Sequence, residues 1–393
     1  MKIALGIREF LPEKGGAERY CYDLMHFLAA KGLEVHIYSS AFPARDRRLC
    51  FRKVPVIPHL KSLQCLSFAV NCRRMMREER FDVIMGIGDT LDADLLQPHG
   101  GVHWKWFWRG IDGYRKPVPW IFKLLGRVLS PKQWAKGLIE DAPYAKAKKI
   151  IAISEMVHRD IVDCYGIPAD RMIVIYNGVD IERFHPRNRR YREEVRSRYG
   201  LNSKDLLLLF VSHNFRLKGL RYLIQAIPLL KGKKGDIKLL VIGRDRAGPY
   251  RRLAKKVGCA DDVLFAGGVK DLERYYAGAD ILVHPTFYDP CSLVVLEALA
   301  SGLPVITTRR NGAGGIIEDG LEGFVLDNPR DVEALAEKIL YLVDPIRLEE
   351  ASAAARRLAE RYSQQRSYQT MLEAMKSIAA SHNDHRNFPG MKR

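Results

Sequence analysis

Residues 281–300 read ILVHPTFYDPCSLVVLEALA, and this stretch decides the fold. A short apolar run rich in β-branched residues ends at His284, a loop with two prolines follows, and an apolar helical run begins near Ser292. A strand that leads through a loop into a helix is one unit of a parallel α/β sheet. Ligands of such sheets bind beside the loops that follow the strands, so we expect this loop to lie at a binding site.

Two acids stand in this stretch. Asp289 lies in the loop, and Glu297 lies about five residues into the otherwise apolar helix. A carboxylate in such surroundings is costly to bury unless it has a partner, such as the hydroxyls of a sugar. The alternative interpretation is that Asp289 caps the helix and Glu297 forms a buried salt bridge.

The alternation of short β-rich runs with longer helical patterns continues in both directions along the chain. In the first half the predicted strands are Ile3–Ile7, Val35–Ser39, Phe81–Ile87, Ile150–Ser154 and Ile173–Tyr176. In the second half they are Leu206–Ser212, Leu239–Gly243, Val263–Ala266, Ile281–His284, Val305–Thr308 and Phe324–Leu326. The predicted fold class is therefore α/β, with two Rossmann-like, doubly wound domains facing a cleft.

A polar, strongly charged stretch from Asp180 to Ser203 separates the two halves. It predicts an N-terminal domain over residues 1–182 and a C-terminal domain over residues 183–360. Residues 361–381 predict a C-terminal helix that could pack back on the N-terminal domain. Residues 382–393 are expected to be a disordered tail.

Charge and cysteine content narrow the classes of function. The 393 residues carry 64 Lys+Arg and 46 Asp+Glu, a formal net charge of +18, which indicates nucleic acid, acidic lipid or a phosphorylated substrate as partner. No apolar run approaches the roughly 18–20 residues of a membrane-spanning helix. Residues 1–6 have the pattern of a first strand and not of a secretory signal. Seven scattered cysteines without a C-x-x-C pair suit reduced thiols in a cytosolic protein.

Two further loops have the composition of anion sites. Gly15 and Gly16 precede a helix, where backbone N–H groups approach a phosphate closely and the helix dipole favours negative charge. Arg216 and Lys218 follow the first strand of the second half, at the mouth of the expected cleft, and suit the neutralisation of a diphosphate. A plain tight turn and ordinary surface cations are the alternatives.

Together these elements resemble the retaining glycosyltransferases of family 4, whose fold of two Rossmann domains is called GT-B. The resemblance covers roughly residues 1–375 and keeps the order of the Gly-Gly loop, the Arg/Lys-Gly stretch and the acid-x₇-Glu element. The stretches SGLPVI (301–306) and YNGVD (176–180) fit the family as well. Within the family the chain looks most like the bacterial lipopolysaccharide core glucosyltransferases. The resemblance makes the first domain acceptor-binding and the second nucleotide-sugar-binding.

The resemblance implies four catalytic residues. Arg216 and Lys218 would neutralise the leaving nucleotide, and Asp289 would hold the donor sugar. His99 would match a histidine of the N-terminal domain in other members. His103 competes for this last role, and a core histidine is an equal alternative.

Two positions depart from the family pattern. Leu217 stands where many relatives carry the Arg that precedes the Lys. Asp289 is shorter than the Glu that is usual there, which bears on its contact with the donor sugar.

The donor-binding residues also follow from the resemblance. Gly15 and Gly16 would approach the diphosphate, and the backbone N–H groups of Ser292 and Leu293, at a helix start, would complete a phosphate cradle. The backbone at Val269 would contact the base, and Glu297 would bind the ribose hydroxyls. No metal and no other cofactor is implied, and we interpret Asp92-Ala93-Asp94 as a chance match to a metal-binding D-x-D.

All five tryptophans lie between residues 104 and 134, and the segment 104–136 holds eight cations and one acid. One face of its predicted helix is apolar and the opposite face is basic, which suits insertion in the plane of an anionic membrane surface. The predicted membrane contacts are Trp120, Lys123, Leu124, Arg127 and Val128. An ordinary packed helix and a single-stranded nucleic-acid site are the alternatives.

The sequence therefore predicts a metal-independent, retaining hexosyltransferase, peripheral on the cytoplasmic face of the bacterial inner membrane. Its expected donor is a UDP-sugar, with UDP-glucose first, and its expected acceptor is a lipid-linked saccharide such as the lipopolysaccharide inner core. Nucleic acid is not an expected partner. The alternatives are a non-catalytic scaffold that binds nucleotide or membrane, and a glycosyltransferase acting on a different glycan or lipid.

Overall fold

A computed structural model describes residues 1–43, 46–114, 117–202, 204–232 and 236–387, without the side chains of residues 117–120, 123, 132 and 382–387. Contacts divide the chain into two compact units. The first comprises Met1–Trp108, Lys116–Asn177 and Ser367–Arg393, and the second comprises Arg109–Arg115 and Gly178–Arg366. Each unit contains one parallel sheet with helices, which confirms the predicted α/β class with two Rossmann-like domains.

The first unit is built on seven strands. They are β1 Lys2–Gly6, β2 Glu34–Ser39, β3 Cys50–Lys53, β4 Val83–Gly86, β5 Leu95–Leu96, β6 Lys149–Ala152 and β7 Met172–Val174. They form a parallel sheet in the order β3-β2-β1-β4-β5-β6-β7. The order reverses between β1 and β4, and the loops after these strands diverge there, which is where such sheets bind ligands.

Six helices follow these strands in the first part of the chain. They are α1 Gly16–Ala30, α2 Lys61–Arg77, α3 His103–Asp112, α4 Pro117–Val128, α5 Pro131–Lys146 and α6 Glu155–Tyr165. Helix α1 buries Tyr20, Leu24 and Leu28 in the core that contains Ile3 and Leu5 of β1. The last residues of α3 group with the second unit.

The second unit has a six-stranded parallel sheet. Its strands are β8 Leu206–Val211, β9 Ile237–Ile242, β10 Val263–Gly267, β11 Ile281–Val283, β12 Val305–Thr308 and β13 Gly323–Leu326, in the order β10-β9-β8-β11-β12-β13. Its helices are α7 Arg192–Arg198, α8 Leu220–Leu230, α9 Gly248–Lys256, α10 Leu272–Gly278, α11 Leu293–Ala300, α12 Val332–Leu342 and α13 Pro345–Arg361. The order reverses between β8 and β11, so the loops after these two strands mark the binding edge.

The last helix, α14 Gln364–Asn387, returns to the first unit. Its residues Tyr368, Met371 and Met375 are buried in the same core as β1 and α1. The helix extends to Asn387, and the disorder of residues 382–393 stays a prediction. The sequence has no Gly or Pro between Gln364 and Pro389, so no helix-breaking residue ends the helix earlier. Residues 388–393 lie outside the described residues.

Within the described ranges, no helix is long and apolar enough to cross a membrane.

Candidate functional site

An ion pair between Lys218 and Asp289 forms the centre of the candidate site in the second unit. Lys218 stands in the loop after β8 and Asp289 in the loop after β11, and these two strands are neighbours in the sheet. The Lys218 ammonium donates to Oδ2 of Asp289 at 2.5 Å and to the Tyr288 carbonyl at 3.1 Å. The two side chains are 16% and 15% exposed. Removing either partner would therefore leave a charge largely buried without compensation.

The carboxyl group of Asp289 is held in its ionised form. Burial alone would raise its pKa, but the charge of Lys218 and the neighbouring His284 outweigh burial and hold the pKa of Asp289 well below its usual range. Nε2 of His284 lies 3.6 Å from the same carboxylate oxygen, and burial lowers the pKa of His284. The pair thus presents a fixed ammonium and a carboxylate that can accept hydrogen bonds.

Close packing of the two strand-end loops holds this pair in place. The Leu217 carbonyl accepts the Phe287 N–H at 2.8 Å, and Leu217 itself is buried. Gly219 has φ +78°, and a Cβ on it would lie 2.0 Å from the carbonyl oxygen of Pro285. Only glycine fits where the loops meet. The departure from the family at Leu217 therefore places an apolar side chain in the packed interior of the loop.

Arg216 contacts residues other than Lys218 and Asp289. Its guanidinium donates to the Gly110 carbonyl at 2.9 Å and lies 3.9 Å from the centre of the Tyr114 ring. Both partners belong to Arg109–Arg115, which groups with the second unit. The structure therefore brings Lys218 and Asp289 together but gives Arg216 different partners.

A third loop, which the sequence analysis did not single out, completes this edge of the sheet. The Asp289 N–H donates to the Arg310 carbonyl at 3.0 Å, and the Gly312 N–H donates to the Asp289 carbonyl at 2.8 Å. The side-chain oxygen of Asn311 accepts the Ser292 N–H at 3.3 Å. The predicted phosphate donor Ser292 thus already has a partner. The signal for this loop was an Asn-Gly pair just beyond β12, a neighbour of β11.

Glu297 lies in α11, which begins at Leu293, and has a protein partner. The Tyr276 hydroxyl donates to Oε2 of Glu297 at 2.9 Å. Burial raises the pKa of Glu297 to about 7, and the Tyr276 hydrogen bond and the charge of Arg183 oppose that rise. Among the described residues no ion pair to Glu297 is formed, so the salt bridge weighed above is absent there. Glu297 changes its charge near neutral pH.

The predicted base-contact residue Val269 lies in the loop between β10 and α10. It lines a cavity of about 350 Å³ together with Gly268, Tyr199 and Tyr275. Aromatic side chains beside a backbone segment suit a planar base.

The first unit has a larger cavity, of about 460 Å³, at the point where its strand order reverses. Its lining includes Arg8 and Asp89, from the loops after β1 and β4, and these form an ion pair at 2.8 Å. Both competing histidines, His99 and His103, line this same cavity. The structure therefore places the two candidates together.

Both imidazoles are neutral and polar at the cavity wall. Burial lowers the pKa of His99 and that of His103 to about 4 each. Nε2 of each ring is buried without a hydrogen-bond partner among the residues that the structure describes. Glu140, on the same wall, accepts the backbone N–H of His103 at 3.0 Å, and burial raises its pKa to about 7. Unpaired ring nitrogens beside a carboxyl group suit the hydroxyl groups of a ligand.

Gly15 and Gly16 stand where the glycine loop was predicted, in the first unit. Gly15 precedes α1 in an extended conformation and Gly16 is its first residue. A Cβ on Gly15 would lie 2.6 Å from Oε2 of Glu18. The structure thus places the glycine loop in one unit and Lys218, Asp289 and the other predicted donor residues in the other unit.

The D-x-D match has a structural explanation. Asp92 pairs with Arg73 and Arg77 at 2.8 Å each, and Asp94 accepts the backbone N–H of Ile84 at 2.9 Å. In the described part of the chain, no group of three or more His, Cys, Asp or Glu side chains is placed to hold a metal ion.

Arg127 of the tryptophan segment has protein partners. Its guanidinium donates to the Phe107 carbonyl and lies 4.7 Å from the centre of a ring of Trp106, and the side chain is half-buried. A guanidinium group gains from a hydrogen bond to a carbonyl and from contact with aromatic rings, which favours this position of the side chain. Leu124 is half-buried and Val128 is 39% exposed. The side chains of Trp120 and Lys123 lie outside the described residues.

Two family models match this chain. The model of Glycosyltransferase Family 4 matches residues 14–183, and that of Glycosyl transferases group 1 matches residues 191–358. The chain belongs to glycosyltransferase family 4. It is therefore a glycosyltransferase, and the resemblance inferred from its motifs is confirmed.

Curated relatives of this family-4 chain include enzymes with different acceptors. The lipopolysaccharide glucosyltransferase WaaG of Escherichia coli is 24% identical over 341 residues, covering 86% of this chain and 88% of the relative. A D-inositol 3-phosphate glycosyltransferase of Pseudarthrobacter chlorophenolicus is 27% identical over 371 residues, covering 87% of this chain and 86% of the relative.

Solved structures agree on the GT-B fold. WaaG, described as a glycosyltransferase involved in lipopolysaccharide biosynthesis, matches with a TM-score of 0.78 at 23% identity and covers 96% of this chain and 99% of its own. Anabaena HepE in complex with UDP-glucose matches with a TM-score of 0.71 at 18% identity, and the match covers 96% of this chain and 100% of the HepE chain.

Proposed function

We propose that this chain is a retaining hexosyltransferase that transfers glucose from UDP-glucose to a lipid-linked saccharide, with the lipopolysaccharide inner core as the first acceptor to test. It acts without a metal ion, as a peripheral protein on the cytoplasmic face of the bacterial inner membrane. The observation that carries the proposal is the Lys218–Asp289 pair, fixed between two strand-end loops of a family-4 chain.

The named relatives support this choice of donor. HepE has been solved with UDP-glucose and with UDP, and the Escherichia coli relative is named as a lipopolysaccharide glucosyltransferase. The inositol-phosphate enzymes match at comparable identity. They favour a second candidate, a glycosyltransferase with the same donor chemistry and a different, phosphorylated acceptor.

The proposed chemistry needs no protein nucleophile. An acceptor hydroxyl attacks the anomeric carbon from the face that the diphosphate leaves, and the departing phosphate oxygen takes the hydroxyl proton. The new carbon–oxygen bond forms as the bond to phosphate breaks. Negative charge grows on the leaving phosphate, where the ammonium of Lys218 stabilises the transition state more than the bound donor. Asp289, ionised and acceptor-only, suits a hydroxyl of the donor sugar.

The cavity of the first unit suits the acceptor. Two cations, Arg8 and Lys136, line it together with several acids, and His99, His103 and Glu140 supply hydrogen-bonding atoms. A saccharide with several hydroxyls matches this mixture.

Transfer to a defined acceptor tests the proposal. Purified protein, UDP-glucose labelled with ¹³C and deacylated or intact lipopolysaccharide core are incubated with and without EDTA, and NMR gives the anomeric configuration of the product. We expect an α-linked glucose and a rate that EDTA changes less than about twofold, because cationic side chains and not a metal oppose the charge of the leaving group. An inverted product would refute retention, and loss of the rate in EDTA with recovery on adding Mg²⁺ would refute metal independence.

Two alternatives make different predictions. A non-catalytic scaffold would keep its activity in cells when Lys218 or Glu297 is replaced by alanine, whereas the proposed enzyme would lose it. A nucleic-acid protein would bind RNA or DNA at physiological salt, whereas adventitious binding by a chain of charge +18 disappears near 0.15 M salt.

Donor binding should depend on pH through Glu297. Its pKa is about 7, and only the ionised carboxylate offers the stronger acceptor to ribose hydroxyls, so affinity for UDP should rise as pH rises through 7. At pH 6 roughly one molecule in ten is ionised, so the dissociation constant should be about tenfold weaker than at pH 8. Calorimetric titration with UDP from pH 6 to 9 measures this.

Two variants test whether the midpoint of this pH dependence belongs to Glu297. Tyr276→Phe removes a hydrogen bond that lowers the Glu297 pKa, so the midpoint should move to higher pH. Glu297→Gln should give weak binding without the midpoint. A midpoint that persists in Glu297→Gln would assign the pH dependence to another group.

A further inference from the structure

The segment Arg109–Arg115 belongs to the second unit, although the residues before and after it in sequence belong to the first. Its described residues are the end of α3 and the turn that follows, where the Tyr114 N–H donates to the Ile111 carbonyl at 2.9 Å. Ile111 is 1% exposed. A fully buried apolar side chain indicates that packing holds the segment in place. We call its described residues, 109–114, the strap.

The strap contacts two loops of the candidate site through charged side chains. The Asp112 carboxylate pairs with Arg310, in the loop after β12, at 2.6 Å. The Arg109 guanidinium lies 5.5 Å from the centre of the ring of Tyr288, in the loop after β11. The backbone carbonyls of Arg310 and Tyr288 also accept hydrogen bonds from the two members of the central ion pair. The strap is therefore attached to the residues that hold this ion pair.

The strap also surrounds the guanidinium of Arg216, in the loop after β8. This guanidinium donates to the Gly110 carbonyl at 2.9 Å, and its central carbon lies 3.9 Å from the centre of the Tyr114 ring. A carbonyl and an aromatic ring attract a cation but carry no charge of their own. They therefore orient the guanidinium without neutralising it.

Gly113 allows this close approach of the strap to Arg216. A Cβ on Gly113 would lie 2.8 Å from Nη1 of Arg216. Because Nη1 is the end of a long side chain with several rotatable bonds, an alanine at this position would displace the guanidinium more readily than the backbone. The site thus offers a small change that moves one cationic group.

Arg216 differs in charge from the ion pair two residues further along its loop. Lys218 and Asp289 neutralise each other as a pair, whereas the uncharged partners of Arg216 leave its positive charge in place. A diphosphate is attracted by net positive charge and accepts paired hydrogen bonds from a guanidinium. The held guanidinium therefore supplies what the ion pair lacks.

We propose that the strap is a positioning element of the donor site, in which Gly113 and Tyr114 hold the Arg216 guanidinium where it binds the diphosphate of the donor. This inference rests on the proposed function, which places a nucleoside diphosphate at these loops. A guanidinium that is already ordered loses less side-chain freedom when the diphosphate binds. Asp112 fastens the strap through Arg310.

Calorimetric binding of UDP and of inorganic pyrophosphate to the full chain tests this role. Gly113→Ala displaces the guanidinium, so both dissociation constants should rise about fivefold or more, the cost of ordering one long side chain on binding. Tyr114→Ala should have the same effect, whereas Tyr114→Phe keeps the ring and should bind like the natural chain. Gly248→Ala is the matched control, since a Cβ there would lie 3.9 Å from Nη1 of Arg252, an ordinary contact. It should leave both constants unchanged.

The variant Arg216→Ala separates positioning from a general effect on structure. Adding Gly113→Ala to Arg216→Ala should change neither dissociation constant, because no guanidinium remains to be displaced. Equal weakening by Gly113→Ala in both backgrounds, or natural affinity of Gly113→Ala alone, would overturn the role of the strap. Thermal unfolding of the same samples shows whether each variant is folded. If Gly113→Ala does not fold, Tyr114→Ala in the two backgrounds makes the same comparison.

The two ligands distinguish this inference from the proposed function. UDP binding that depends on both Gly113 and Arg216 supports the two together. UDP binding that Gly113→Ala leaves unchanged would refute the strap and keep the donor. Pyrophosphate binding that depends on both residues, with UDP bound no more tightly than pyrophosphate, would keep the strap and refute the nucleotide donor. A folded natural chain that binds neither ligand would refute both.

Discussion

Replacing Lys218 with alanine is expected to lower the rate of sugar transfer at saturating donor by roughly 10²–10³-fold, equivalent to about 2.7–4 kcal/mol. The ammonium is fixed before the donor arrives, because it is bound to Asp289 at 2.5 Å and to the Tyr288 carbonyl. A preorganised charge needs no rearrangement as negative charge develops on the leaving phosphate. The turnover number, and not only the Michaelis constant, should fall.

A matched lysine isolates this effect. Lys231 also pairs with an aspartate of the second unit, Asp262, at 2.9 Å, but its side chain is 53% exposed and it lies at the end of α8. Lys231→Ala should leave turnover within about twofold, since exposed ion pairs contribute little. Equal turnover in Lys218→Ala and the natural chain, with both folded, would remove Lys218 from the chemistry.

The substitution Gly219→Ala is expected to destabilise the second unit by about 3 kcal/mol or more and to reduce turnover as well. A left-handed backbone costs an alanine about 1–2 kcal/mol. The added Cβ would in addition lie 2.0 Å from the Pro285 carbonyl oxygen, so the two strand-end loops must separate. Lys218 is the preceding residue and would move with the loop. Urea denaturation and turnover on the same sample measure both effects.

A second glycine separates the backbone cost from the clash. Gly258 has φ +76°, similar to Gly219, but a Cβ on it would meet no atom within 4 Å. Gly258→Ala should therefore cost only about 1–2 kcal/mol and leave turnover unchanged. If Gly219→Ala is no more destabilising than Gly258→Ala, the loops are not packed as described.

The fold was largely predictable because most of its strands are apolar runs. All six strands of the second unit coincide with predicted runs, and β1, β2, β4, β6 and β7 do so in the first. The two missed strands carry little signal. Strand β3, CFRK, is a mostly exposed edge strand with polar residues, and β5 is only Leu95–Leu96. Edge position and brevity remove the pattern on which such predictions depend.

The candidate site was predictable where local motifs decide it. Lys218 and Asp289 follow adjacent parallel strands, and parallel topology brings their loops together. The orientation of Arg216 was not predictable, because its partners Gly110 and Tyr114 lie about a hundred residues earlier in the chain. For the same reason Asn311 was missed, since its role depends on packing between two loops.

The contacts of Arg127 were also not predictable. A helical wheel places it on a basic face, but the wheel does not contain the rings of Trp106 and Phe107 over which it lies.

The central claim is that the second unit binds the UDP part of a sugar donor through Glu297 and uses the Lys218 ammonium to stabilise the charge on the leaving phosphate. Calorimetric binding and nucleotide release with UDP-, GDP- and ADP-glucose, for the natural chain and Glu297→Gln at pH 8, test it most directly. The account predicts binding and slow release for UDP-glucose, at least tenfold weaker binding by Glu297→Gln, and no comparable signal with the other two donors. A folded chain that binds none of the three, or that binds UDP-glucose equally well with and without the Glu297 carboxylate, would contradict it.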